Sequence, residues 1–81
     1  MSVPSDEEIL EENRRARRLR VVVDLVTSVI SQSDMAYEEA ADLVAATRQF
    51  ALRLFPGKEE TYNLIYTPRF QRLLREKYNM M

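Results

Sequence analysis

Leu19-Arg-Val-Val-Val-Asp-Leu-Val-Thr-Ser-Val-Ile30 is the stretch that decides the fold. At 100° per residue, Leu19, Val22, Val23, Val26, Val29 and Ile30 fall on one side of a helix, which predicts an amphipathic helix burying that stripe. Read backward, the same helix finds its start at Ser5-Asp6-Glu7-Glu8, where the Ser5 hydroxyl can accept the Glu8 amide and the three acids suit the positive end of the helix dipole. No Gly or Pro interrupts the chain between there and Pro56. A first helix over about 6–32 is therefore predicted, long for so short a chain.

Read forward, the polar cluster Ser31-Gln32-Ser33-Asp34 predicts a break and supplies N-cap residues for a second helix over about 35–54. Pro56-Gly57 ends that helix. A short third helix is predicted over 58–66, interrupted before Pro68 because a residue preceding proline avoids the helical region. With Thr67 as N-cap and Pro68 at the first helical position, a fourth follows over 68–78. Met80-Met81 is expected to be a frayed end.

Each later segment also carries a stripe. Ala40, Leu43, Val44, Thr47, Phe50, Ala51 and Leu54 form that of the second, its Ala40, Thr47 and Ala51 small enough for close helix approach. Tyr62, Ile65 and Tyr66 share a side of the third, and Phe70, Leu73 and Leu74 a side of the fourth. The tyrosines and phenylalanine at 62, 66, 70 and 78 are read as core and rim. The expected fold class is all-α: one domain spanning residues 1–81, a small three- to four-helix bundle.

The front of the first helix departs from its own stripe. Extended backward, the core-facing positions are Glu8, Glu11, Glu12 and Arg15, all charged, while Ile9 and Leu10 point elsewhere. The core is expected to claim this helix only from about Leu19, so that a long N-terminal helix projects beyond it. Glu11–Arg14 and Glu11–Arg15 pairs would support the projecting turns by a few tenths of a kcal/mol each.

Composition excludes several chemistries. Apolar residues at 46% and charged residues at 31% fit a folded domain, with roughly 60–65% of the unfolded surface buried at this length. Without His or Cys there is no disulfide, and neither the usual zinc ligands nor the usual nucleophile–base pairs. A single Gly rules out glycine-rich phosphate loops. The acidic start is unlike a signal peptide, Val21–Ile30 is too short and too interrupted for a membrane span, and a cytoplasmic location is expected. A net charge of −1 gives no strong bulk attraction to nucleic acid or membrane.

Three functional readings remain. Glu7-Glu8-Ile9-Leu10-Glu11 with Glu39-Ala40-Ala41-Asp42 resembles the paired acidic motifs of all-α nucleotide pyrophosphohydrolases, a resemblance confined to those few positions. It implies carboxylates holding Mg²⁺ against phosphates. Both clusters begin successive helices, however, and an antiparallel hairpin would part them by roughly 30 Å. First-turn acids complementing helix dipoles explain them more simply.

The second reading rests on Asn13-Arg14-Arg15-Ala16-Arg17-Arg18-Leu19-Arg20, five arginines in eight residues, joined by Arg69, Arg72 and Arg75 in the fourth helix. Arginine pairs bidentately with phosphate, so this is the pattern of a nucleic-acid contact. Against it stand the five acids just upstream and the lack of an aromatic in the run for bases to stack on.

The third is self-association. The first helix is acidic from Asp6 to Glu12 and basic from Arg14 to Arg20, so two antiparallel copies crossing near Asn13 would match opposite charges in an isologous interface. Ile9, Leu10 and Ala16 would be its apolar content, with Glu11, Glu12, Arg14, Arg15, Arg17 and Arg18 around them. The leading expectation is a protein–protein interaction or adaptor module that homodimerises, neither an enzyme nor a cofactor carrier. Nucleic-acid binding is the alternative and an Mg²⁺-dependent enzyme a distant third.

Overall fold

A computed structural model describes residues 5–79. Met80 and Met81, read above as a frayed end, lie outside the described residues. Four α-helices account for the described chain: α1 (Asp6–Gln32), α2 (Tyr37–Leu54), α3 (Glu59–Ile65) and α4 (Thr67–Tyr78). The fold is a small all-α bundle. No helix among the described residues is long and apolar enough to cross a membrane.

α1 begins as its sequence predicts, with the Glu8 amide donating to the Ser5 hydroxyl oxygen at 3.2 Å. It pairs antiparallel with α2, bringing Arg15 beside Leu54 at one end and Ser33 beside the start of α2 at the other. α4 packs across both, and α3 packs on α2 and α4 but not on α1.

The shared core is Leu19, Val23, Val26 and Ile30 from α1, Ala40 and Ala51 from α2, Tyr62 from α3, and Phe70 and Leu74 from α4. Ile30 and Ala40 are fully enclosed, and Thr47 is buried between them and Ala51 along the α2 seam, its hydroxyl donating to the Leu43 carbonyl at 2.8 Å. Small side chains on α2 thus admit the branched side chains of α1.

Two predicted boundaries move. The Ser31–Asp34 cluster does not cap α2. Ser33 is extended (φ −107°, ψ 164°) and closes α1, its amide donating to the Val29 carbonyl at 3.1 Å. α2 starts at Tyr37 behind Ala36, without a side-chain cap. Nor does Thr67 cap α4. It lies inside the helix, its hydroxyl donating to Asn63 Oδ1 at 3.2 Å, and the break is the single residue Tyr66. Between α2 and α3 the Pro56-Gly57 stop is as predicted: the Lys58 amide donates to the Phe55 carbonyl at 3.2 Å, with Gly57 at φ 80°. Proline second and a left-handed glycine third are what a type II turn requires.

Two stripe positions also lie outside the core. Val29 is 39% exposed and Ile65 50% exposed. α1 has neighbours only in α2 and α4, and that is too narrow a cover for its whole apolar arc.

The body is short for its first helix. The molecule measures 48 × 21 × 16 Å with a radius of gyration of 14.8 Å, against about 12 Å for a compact domain of this length. The excess is the N-terminal part of α1. Every residue from Asp6 to Arg14 is exposed, and the first to be partly covered are Arg15 and Ala16.

Candidate interaction surface

α1 projects because its early core-facing positions are charged and cannot be buried without partners. Ile9 and Leu10 are 44% and 56% exposed. Glu11 and Arg14 form an exposed i,i+3 pair at 4.0 Å, worth little for stability. Glu12, Arg17, Arg18 and Arg20 are exposed and make no ion pair among the described residues.

Arg15 behaves differently from its neighbours. Instead of joining Glu11, it lies half-buried against the body, Nη1 reaching the Leu54 carbonyl at 3.5 Å. A cation at the last carbonyl of α2 suits the negative end of that helix and occupies one of its unpaired acceptors. Its Nε is buried without a partner.

Where α1 leaves the body, it borders a cleft. α1 and α3 both pack toward α2 without meeting, and the gap between them is an open depression of about 300 Å³. Ala16 and Leu19 form one wall, Leu52 and Phe55 the floor, and Ile65 with Tyr66 the opposite wall. Glu12 and Arg20 from α1 and Lys58 before α3 contribute charges to its lining. Tyr62 borders this cleft and a smaller hollow of about 190 Å³ between α2 and α4. The Tyr62 hydroxyl is buried without a partner, and burial pushes its pKa up, opposed by Arg48 and reinforced by Tyr66.

A second exposed feature lies on the far side of α1. Val21, Leu25 and Val29, at i,i+4 spacing, are 59%, 61% and 39% exposed. Four residues advance a helix by about 40° beyond a full turn, so these three form a slowly turning row facing away from the core.

The candidate surface of the first helix is therefore split. Ala16 faces the cleft, Arg15 the body, and Arg14, Arg17 and Arg18 solvent. The α4 arginines stand apart from them in the chain: Arg69 lies over the Tyr66 ring at 5.8 Å, while Arg72 and Arg75 are exposed. The two acidic clusters lie at opposite ends of the α1–α2 hairpin, Glu7–Glu11 beyond the end of α2 and Glu39–Asp42 at its start. Among the described residues no three carboxylates gather as a metal site would require.

Sequence reasoning missed the cleft. Leu52 and Phe55 lie off the α2 stripe, and only the failure of α3 to reach α1 makes them a surface. Comparison with protein families, with curated proteins and with solved structures gives no match for the chain.

Proposed function

We propose that this chain is a small helical interaction module that associates with a second copy of itself through the N-terminal half of α1. The observation that carries this reading is the exposed segment Asp6–Arg14, a helical stretch that contributes no residue to the core. A short helix in water is marginal without tertiary contacts, so an amphipathic partner surface would complete it. Its charges support a partner of the same kind, since five acids precede Asn13 and five arginines follow within Arg14–Arg20. Antiparallel pairing sets unlike charges together, and parallel pairing sets like beside like.

Light scattering on the purified chain tests the reading. A mass near twice 9.5 kDa at low salt, falling toward 9.5 kDa as salt rises, is the expected result. Exposed ion pairs are screened over a Debye length of about 10 Å at 0.1 M salt, which gives the direction of the change. A 9.5 kDa species at every concentration and ionic strength would end the proposal.

A second reading, contact with nucleic-acid phosphates, is favoured by one observation: Arg17, Arg18 and Arg20 are exposed with no ion-pair partner among the described residues. Anisotropy titrations with a labelled duplex and a labelled single strand at 50 mM salt test it. Binding that falls steeply with salt and with Arg17→Gln/Arg18→Gln supports it; no binding at low salt removes it.

A further inference from the structure

We infer that the cleft between α1 and α3 is the receptor for Ile9 of a second copy, with Asn13 on the two-fold axis. The inference rests on the self-association proposed above and says which face is used and what fills it. Advancing 100° per residue, Asp6, Ile9, Asn13, Ala16 and Arg20 share one strip of α1 about 80° wide, at spacings of three and four. One end of that strip is the exposed Ile9. The other end, Ala16 and Arg20, is lining of the cleft. A single helix face thus carries both an apolar knob and part of the hole that could receive it, and so is complementary to itself.

The register follows from the charges. With Asn13 facing Asn13, the second copy's Ile9 comes level with Arg17 and packs beside Ala16, about 1.5 Å back along the helix, on the open side of a hollow floored by Leu52 and Phe55 and backed by Ile65. The small Ala16 side chain leaves room for the approach. The second copy's Asp6 then meets Arg20, and Lys58 adds a second cation on the same side. By symmetry each contact forms twice. The two bodies sit at opposite ends of the pair, because the covered part of each α1 begins at Arg15. The row Val21–Leu25–Val29 faces another way and carries no charge pattern that identifies an occupant.

The chain contains no cysteine, so single cysteines report the geometry directly. Asn13 and Ser28 are both exposed, and replacing either leaves the core untouched. Under mild oxidation Asn13→Cys should form a disulfide-linked dimer rapidly, since residues on the axis come within bridging distance, whereas Ser28→Cys, beside the apolar row, should not. Ile9→Asp should leave a monomer that still unfolds cooperatively, since Ile9 lies outside the core. Asp6→Arg should weaken the dimer about tenfold, and adding Arg20→Asp should restore it, as two exchanged ion pairs require.

If the unmodified chain is monomeric at all concentrations, both the self-association and this inference are overturned. If it is dimeric but Asn13→Cys links no faster than Ser28→Cys, or Ile9→Asp still dimerises, self-association stands and the Ile9-in-cleft geometry is overturned.

Discussion

Lys77, in the last turn of α4, donates to the Ser33 carbonyl at 2.9 Å and to the Ser31 carbonyl at 3.1 Å. α1 has no basic residue in its own last turn, so the cation that complements its negative end comes from 44 residues further along the chain. Beside it the Tyr78 hydroxyl donates to the Met35 carbonyl at 2.8 Å, and its ring meets Tyr37 edge-on at 5.6 Å. The end of α4 therefore holds the α1–α2 connection.

Lys77→Met should cost about 1 kcal/mol, below the roughly 1.5–3 kcal/mol of hydrogen bonds to charged groups, because the site is partly solvated. Tyr78→Phe should cost about as much. In so small a domain each should lower the thermal midpoint by about 4–8 °C. The two side chains serve one connection, so the double variant should lose less than the sum. Strict additivity in urea melts would show that they act independently.

Ile30→Ala should be far more damaging. Ile30 is fully enclosed, with Ala40 also fully enclosed in the same core, so nothing small can move in to fill the space. The expected loss is about 3 kcal/mol or more, a large part of the stability of a domain this size. Val29→Ala, one residue away but 39% exposed, should cost less than about 1 kcal/mol. Equal losses would place Val29 in the core after all.

That contrast shows what was legible beforehand. The limits of α1 could be read because Ser5 caps it locally and its 3.6-residue stripe runs unbroken from Leu19 to Ile30. Its projection was legible too, as charge on the core-facing positions Glu8, Glu11, Glu12 and Arg15. The start of α2 was not, because no local cap marks it; its connection is held by Lys77 and Tyr78. Thr67 misled for the opposite reason. It has the chemistry of a cap, but a neighbouring Asn63 acceptor takes its hydroxyl. The cleft depends on which helices fail to touch, and periodicity within one helix carries no such information.

Tyr62 predicts an alkaline limit. Burial raises its pKa, so the folded state holds the phenolic proton more tightly than the unfolded chain does. Above the unfolded value of about 10 the unfolded state has fewer protons, and stability must fall as pH rises from there. Tyr62→Phe should abolish this part of the pH dependence, as read by urea melts at pH 8 and at higher pH. It should also stabilise the neutral-pH protein by about 1 kcal/mol, because the hydroxyl is buried without a partner. Unchanged stability at neutral pH would mean the hydroxyl is satisfied by water in solution.

Arg17 and Arg18 separate the two functional readings. Both are exposed, and both lie off the strip of Asp6, Ile9, Asn13, Ala16 and Arg20. If α1 pairs through that strip, Arg17→Gln/Arg18→Gln should change the dimer constant by no more than a few-fold, the effect of losing exposed rim charges. If the segment contacts phosphates, the same substitution should remove about two counterions from the salt dependence, lowering the slope of log K against log salt by about 2. Arg15 supplies the control. Held against Leu54, it presents little charge outward, and Arg15→Met should leave the slope nearly unchanged. A salt slope that responds to Arg15 as strongly as to Arg17 would mean that Arg15 leaves the body when the partner binds.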